Sequence, residues 1–136
     1  ILKRKKQKLV CEITDAWIKG DEQLLKSVFI NIIDNARKAS EDGSKIRFVA
    51  EKITEGVRIL VQDFGVGISE EHLKRICDEF YMVDKSRSRQ EGGAGLGLAL
   101  AASIIESHGE KLEIESTVGY GTTMWVVFHG KNLSEQ

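Results

Sequence analysis

The sequence of 136 residues contains no proline, only two cysteines and no excess of charge of either sign. Cys11 and Cys77 lie in apolar contexts without metal-binding spacing, so we expect buried, reduced thiols of a cytosolic domain. Twenty basic and twenty-one acidic residues give a formal net charge of −1, which argues against a dedicated nucleic-acid or membrane-surface binder. The longest uncharged run, 92–105, is too short to span a bilayer and indicates a loop followed by a core helix.

The length and the absence of repeats or boundaries predict a single domain covering 1–136. The basic segment 1–8 is expected to be a solvated linker or the end of an upstream helix. The chain starts without methionine and without a signal peptide, so we expect it to be part of a longer protein.

The spacing of hydrophobic residues predicts that both helices and strands occur along the chain. Asp21 is a good N-cap for a core-facing helix from 22 to about 40, and Ser69 for a short helix through 77. A third helix ends near 107, and the polar segment 84–93 is expected to be a mobile loop. The predicted strands are 9–15, a hairpin of 45–54 and 57–63, and a hairpin of 111–116 and 122–128. These elements indicate an α+β fold, a two-layer sandwich with a mixed, mostly antiparallel sheet packed on about three helices.

Four glycines in six residues, Gly92, Gly93, Gly95 and Gly97, precede this third helix. Glycine lets the main chain approach a ligand closely, and the N–H groups and dipole at a helix N-terminus favour an anion. The segment is therefore a candidate phosphate loop. The alternative is a flexible connection to a buried helix.

The first helix carries polar side chains beside its apolar face. At about 100° per residue, Asn31, Asn35 and Lys38 fall in a stripe roughly 60° wide, about 110° from the centre of that face. Two amides and one ammonium in this position are a candidate ligand wall. The alternative is an ordinary polar flank.

The second strand of the first hairpin ends at Asp63, which is followed by Gly65 and Gly67. A carboxylate accepts hydrogen bonds from an exocyclic amine, and the glycines would let a planar base lie against the main chain. The alternative is a plain turn. Neither a Walker phosphate loop nor a dinucleotide-binding glycine motif is present.

In this order, the motifs resemble the catalytic and ATP-binding domain of sensor histidine kinases, within the wider group of gyrase-type and Hsp90-type ATPases. The resemblance covers about 20–128 and implies the Bergerat ATP-binding fold. It rests on Asn31-x-x-x-Asn35-Ala, Asp63-x-Gly65-x-Gly67-Ile68, Phe80-Tyr81, Asp84-Lys85-Ser86-Arg87-Ser88-Arg89, Gly93-x-Gly95-Leu96-Gly97-Leu98 and Gly119-x-Gly121-Thr122.

The resemblance implies Mg²⁺ and ATP as ligands. Asn35 would be the Mg²⁺ ligand, with Asn31 beside it and Lys38 at the phosphates; Asn31 and Lys38 would be the catalytic positions. Asp63 would hold the adenine amine, supported through water by Thr122. A single amide ligand suits Mg²⁺ because this ion retains waters and phosphate oxygens.

The resemblance also assigns the loops around the nucleotide. Gly65, Gly67 and Ile68 would form the base pocket, and 84–93 would be a flexible ATP lid. The further ATP-binding positions are Phe80, Tyr81, Lys85, Arg87, Arg89, Gly93, Gly95, Leu96, Gly97 and Leu98.

Three positions depart from the family pattern. Met82 stands where the family has arginine, so whether Arg87 or Arg89 replaces that arginine is open. Glu110 stands where a second glycine is common, and the usual Leu-Pro after the last strand is absent, since His129 follows Phe128 there.

The resemblance implies transfer of the γ-phosphoryl group to a histidine of a dimerisation and phosphoacceptor domain, for relay to a response regulator. The acceptor motif of the family contains proline, so this chain lacks it. Structural or surface roles are expected for His72, His108 and His129. Asn31 replaces the glutamate of the hydrolysing relatives, and an amide is no general base, which favours phosphoryl transfer over hydrolysis.

The alternatives are a gyrase-type or Hsp90-type ATPase, an anti-sigma serine kinase, and a degenerate docking domain. The resemblance implies a cytoplasmic location, within a membrane-anchored bacterial sensor kinase. The balanced charge argues against a nucleic-acid partner.

Overall fold

The computed structural model describes residues 6–77 and 97–130. The elements in chain order are β1 (Lys8–Ile13), α1 (Glu22–Ala39), β2 (Lys45–Ile53), β3 (Gly56–Asp63), α2 (Glu70–Leu73), α3 (Gly97–Ser107), β4 (Glu113–Thr117) and β5 (Gly121–His129). The strands form a single sheet in the order β1-β2-β3-β5-β4. β1 is parallel to β2, and the other neighbours are antiparallel. The predicted mixed, mostly antiparallel sheet and both hairpins are confirmed.

α1 begins and ends where its sequence predicts. The side chain of Asp21 accepts a hydrogen bond from the N–H of Leu24 at 2.9 Å, which is the expected N-cap. At the other end, the buried Ser40 donates from its hydroxyl to the carbonyl of Ala36 at 2.7 Å. The helix is therefore fixed by its own sequence at both ends.

The core lies between the sheet and the helices α1 and α3. Strand β3 alternates strictly, so that every second residue is buried, and β5 alternates in the same way from Thr122 onwards. The buried side chains of the core cluster include Val28, Ile32, Val61, Ala101, Ile105, Met124 and Val126. Val61 lies opposite Met124, and one step further along the same face Asp63 lies opposite Thr122. The same alternation that buries the apolar residues of β3 thus also buries the carboxylate of Asp63.

Three predicted elements differ from the structure by two residues or more at one end, and one of them, β4, begins at Glu113 rather than at 111. β1 covers Lys8–Ile13, so it overlaps the predicted linker at Lys8 and ends before 15. The helix after Ser69 ends at Leu73 rather than at 77. It buries none of its residues, and a helix of this length has little stability without tertiary packing.

The expected burial of Cys11 is wrong, because this side chain is exposed. β1 is an edge strand with one neighbour, and its residues are exposed apart from the half-buried Val10. Cys77 is half-buried, and neither thiol forms a disulfide. His129, expected beyond the last strand, is the final residue of β5.

Candidate functional site

The carboxylate of Asp63 is the only buried acidic group of the described residues, with 4% of its surface exposed. Its Oδ1 accepts hydrogen bonds from the main-chain N–H groups of Gly65 at 2.9 Å and of Thr122 at 3.3 Å. Within the described residues Oδ2 has no hydrogen-bond partner. The strand therefore ends in a fixed carboxylate with one oxygen available for a donor.

Burial raises the pKa of Asp63 above the ordinary value of an aspartate. The two N–H donors, from Gly65 and Thr122, oppose this shift without cancelling it. The folded domain thus holds this carboxylate in a position that disfavours its charge, as functional sites commonly do.

The loop after Asp63 is held by main-chain contacts to two other elements. Val66 donates its N–H to the carbonyl of Ala39, the last residue of α1, at 3.1 Å, and accepts from the N–H of Gly119 at 2.8 Å. The N–H of Ile68 donates to the hydroxyl of Ser116 at 2.7 Å. The predicted base-pocket loop is therefore attached to both α1 and the β4–β5 hairpin.

Gly65 and Gly67 leave no room for a side chain. A Cβ atom at Gly65 would lie 2.1 Å from the carbonyl oxygen of Ala39. At Gly67, where φ is +77°, it would lie 2.2 Å from the carbonyl oxygen of Thr117. Glycine is needed at both positions because the main chain of this loop lies directly against the main chain of Ala39 and of Thr117.

Ser116 belongs to this site and was not predicted from the sequence. Its hydroxyl lies 2.7 Å from the hydroxyl of Thr122 and donates to the carbonyl of Gly121 at 2.9 Å. Thr122 therefore contributes both its N–H, to Asp63, and its hydroxyl, to Ser116. The only signal in the sequence was the position of Ser116 opposite Thr122 in the predicted hairpin.

Asn31, Asn35 and Lys38 lie half-buried along α1, as predicted. The ammonium of Lys38 is 3.2 Å from the carboxylate of Asp34, and Arg37 is 3.0 Å from the same carboxylate. Burial would raise the pKa of Asp34, but the hydrogen bonds from Arg37 and Lys38 outweigh it and lower that pKa. The side chains of Asn31 and Asn35 form no hydrogen bond with any described residue, so both amides are available to a ligand.

The N-terminus of α3 meets α1 at Asn31. A Cβ atom at Gly97 would lie 3.9 Å from Cβ and Cγ of Asn31, which is ordinary contact. From Asn31 to Ala39, where the Asp63 loop is attached, α1 rises about 12 Å. The segment from Asn31 to Ala39, called the α1 wall below, thus connects the N-terminus of α3 with the loop that follows the buried carboxylate.

Other predicted positions fall in the core or outside the described residues. Leu98 is buried in the core, and Ile68 is half-buried beside Ser116. The positions outside the described residues are Phe80, Tyr81, Lys85, Arg87, Arg89, Gly93, Gly95 and Leu96, together with the predicted lid 84–93.

The donor set of α1 fits Mg²⁺ that arrives with phosphate. The described residues contain no cluster of three or more histidine, cysteine or acidic side chains that could hold a metal by itself. Asn35 offers one amide oxygen, and Mg²⁺ prefers oxygen ligands while keeping waters and phosphate oxygens. A protein-only metal site is therefore not built into this part of the chain.

Comparison with known proteins decides the family. The sequence model of the protein family described as histidine kinase-, DNA gyrase B- and HSP90-like ATPase matches residues 20–132 of the chain. The chain belongs to this family. It is similar to the phosphate regulon sensor protein PhoR of Pseudomonas aeruginosa, with 38% identity over 118 residues. That alignment covers 87% of this chain and 27% of the relative.

Two further matches agree. The sensor histidine kinase WalK of Bacillus subtilis is 38% identical over 112 residues, which are 81% of this chain and 18% of WalK. The catalytic domain of histidine kinase ThkA is 27% identical with a TM-score of 0.76, covering 90% of this chain and 78% of that domain. The predicted ATP-binding catalytic domain of the sensor histidine kinase type is confirmed. The chain spans about a quarter or less of the curated relatives PhoR and WalK.

Proposed function

We propose that the domain binds Mg·ATP and transfers the γ-phosphoryl group to a histidine of a separate dimerisation and phosphoacceptor domain, for relay to a response regulator. The observation that carries this proposal is the buried carboxylate of Asp63, with one oxygen held by two N–H donors and the other available. It lies at one end of the α1 wall, and the Asn31–Gly97 contact lies along the same helix.

Asp63 would recognise the base. Its free oxygen can accept a hydrogen bond from the exocyclic amine of adenine, whereas guanine presents a carbonyl oxygen at the corresponding position. The main-chain walls at Gly65 and Gly67 suit a flat ring, because no side chain projects from them. This arrangement supports ATP over GTP as the ligand.

Asn31, Lys38 and the N-terminus of α3 at Gly97 would hold the phosphates. Mg²⁺, when bound through Asn35, would supply neutralisation of the phosphate charge. Phosphoryl transfer depends mainly on positioning and electrostatics, which these groups can provide. The contacts predicted for Phe80, Tyr81, Lys85, Arg87, Arg89, Gly93, Gly95 and Leu96 remain part of this proposal.

The acceptor histidine would come from another domain. Two of the three histidines already serve the fold: His108 accepts from the main-chain N–H of Asp21, and His129 contacts Glu110. Asn31 is an amide and cannot activate water as a base, so hydrolysis of ATP should be slow. The neutral acceptor histidine would itself be the nucleophile.

The parent protein would be a membrane-anchored bacterial sensor kinase with this domain in the cytoplasm. Within 6–77 and 97–130, no helix has the length and apolar character that crossing a bilayer requires. The protein partners of the domain would be the phosphoacceptor domain of the same parent kinase and the response regulator.

Titration with nucleotide tests the proposal. We expect ATP with Mg²⁺ to bind in the micromolar range, the usual scale for a substrate, and GTP to bind at least tenfold more weakly. Labelled phosphate should appear on an added phosphoacceptor domain from a sensor kinase, with little release of free phosphate. Equal affinity for ATP and GTP would contradict the role of Asp63, and rapid ATP turnover without an acceptor would favour an ATPase.

A further inference from the structure

The imidazole ring of His108 joins the two helices that border the proposed nucleotide site. Its Nε2 accepts a hydrogen bond from the main-chain N–H of Asp21 at 3.0 Å, and its Nδ1 lies 2.8 Å from the carbonyl of Ile104. A main-chain N–H can only donate, so Nε2 carries no proton and Nδ1–H donates to Ile104. One ring therefore links the N-cap of α1 to the last turn of α3.

The chain makes room for this ring at Gly20. A Cβ atom there would lie 2.6 Å from Cδ2 and 2.9 Å from Nε2 of His108, and 2.7 Å from Cδ1 of Leu25. The glycine is thus explained by the close approach of the ring. Any side chain at Gly20 would push His108 away from Asp21.

Asp21 connects the contact from His108 to the first turn of α1. Its side chain caps the N–H of Leu24 at 2.9 Å, and its carbonyl accepts from the N–H of Leu25, also at 2.9 Å. With the N–H bound by His108, all three polar groups of Asp21 are used. A shift of Asp21 would therefore shift the first turn of the helix.

The two helices run in opposite directions and meet again at Asn31 and Gly97. Asn31 lies ten residues after Asp21, and Gly97 lies eleven residues before His108, so the helical rises are about 15 Å and about 16.5 Å. The His108 contact and the Asn31–Gly97 contact are thus the two ends of one antiparallel pair. Because helices of this length are stiff, fixing one end sets the axial position of the other.

We propose that His108 is a positioning residue, which sets the Asn31–Gly97 contact and thereby the phosphate end of the site. The part of this inference that concerns ATP rests on the proposed function; the part that concerns the helices does not. His108 touches neither Asn31 nor Gly97 and acts only through Asp21 and the two helices.

Three variants separate positioning from simple stability. His108→Phe keeps a planar ring and removes the acceptor, and His108→Gln keeps an acceptor near the position of Nε2. Gly20→Ala displaces the ring while leaving His108 in the sequence. The control is His129→Ala, which removes another histidine contact, to Glu110, at the far end of β5.

Nuclear magnetic resonance tests the inference without nucleotide. In the unmodified protein, the nitrogen shifts of His108 should show the proton on Nδ1. His108→Phe and Gly20→Ala should both move the amide signals of Asn31 and Gly97, His108→Gln should restore them, and His129→Ala should leave them unchanged. A proton on Nε2, or unchanged Asn31 and Gly97 signals in His108→Phe and Gly20→Ala, would overturn the inference.

Titration with Mg·ATP then tests the functional consequence. We expect His108→Phe and Gly20→Ala to weaken binding about three- to tenfold, and His108→Gln to recover most of it. Unchanged affinity in the first two variants, while the unmodified protein binds ATP, would refute positioning of the phosphate end. If the unmodified protein binds no ATP but the Asn31 and Gly97 signals move as expected, the proposed function fails and the helix positioning stands.

Discussion

Asp63 and Thr122 face each other across β3 and β5, and the main-chain N–H of Thr122 donates to the carboxylate of Asp63 at 3.3 Å. The pair continues a row that is otherwise apolar, with Val61 opposite Met124 one step earlier. No cation of the described residues forms a salt bridge with this carboxylate. A buried charge held only by N–H donors lowers stability, and this cost supports the role in binding that we propose for Asp63.

Replacing Asp63 by asparagine should separate stability from binding. The amide oxygen can still accept from Gly65 and Thr122, while the buried charge is removed. We expect the unliganded domain to be as stable as the unmodified one, or more stable by up to about 1 kcal/mol in urea unfolding. Affinity for ATP should fall tenfold or more, since an NH₂ group would face the adenine amine.

Asp15→Asn is the matched control, because Asp15 is an exposed acidic residue after β1. It should change neither unfolding nor ATP affinity. A marked loss of stability in Asp63→Asn would show that the carboxylate serves the fold instead of the ligand.

The raised pKa of Asp63 predicts a pH dependence of stability with a definite sign. The folded state binds this proton at a higher pH than the unfolded state does, so its contribution to stability decreases as the pH rises through the folded pKa. The free energy of unfolding of Asp63→Asn minus that of the unmodified protein should therefore be positive at neutral pH and shrink towards zero in acid. Urea unfolding of both proteins across this range measures it.

Taking the difference cancels other titrating groups, such as Asp34 and Glu12, whose lowered pKa values act in the opposite direction. A difference that grows as the pH falls would contradict the sign derived for Asp63.

The contact between Gly67 and Thr117 can be measured against Gly43. Both glycines have positive φ, +77° and +86°, but a Cβ at Gly43 would meet nothing within 4 Å. Gly43→Ala should cost about 1 kcal/mol of unfolding free energy from the backbone conformation alone. Gly67→Ala should cost about 3 kcal/mol or more and weaken ATP binding, because main chain must move. Equal losses of unfolding free energy in the two variants would mean that the β4–β5 hairpin can move away from a side chain at position 67 at little cost.

Glu110 and His129, both departures from the family pattern, contact each other. The carboxylate of Glu110 accepts from the main-chain N–H of His129 at 2.9 Å and lies 2.8 Å from its ring Nδ1. We expect Glu110→Ala to cost about 1 kcal/mol and the loss to be non-additive with His129→Ala in a double-mutant cycle. Lys111→Ala, which removes an exposed pair with Glu113 at 3.8 Å, should cost almost nothing. Additive losses would show that Glu110 and His129 are independent.

The sequence predicted what is decided locally. The N-cap at Asp21 and the apolar spacing of α1 set that helix within a residue, and the alternation of β3 placed Asp63 at its end. The family and its ATP-binding domain followed from the order of motifs, and the family match confirms them. The stripe of Asn31, Asn35 and Lys38 also follows from helix geometry alone.

What the sequence did not reveal depends on contacts between distant segments. The apolar context of Cys11 suggested burial, but the strand order leaves β1 at an edge. A structural or surface role was expected for His108, but the sequence did not reveal its partner Asp21, which lies 87 residues away. Ser116 became visible as a site residue only once β4 was paired with β5.

The loop that follows Asp63 is shaped by carbonyl and N–H groups of Ala39, Val66, Thr117 and Gly119. Main-chain carbonyl and N–H groups are the same in every residue except proline, whatever its side chain. Substitution of the exposed side chains of Phe64, Val66, Val118 and Tyr120 would therefore leave these main-chain contacts in place. Contacts of this kind tolerate exchange of side chains, and the catalytic domain of ThkA has the same architecture at 27% identity.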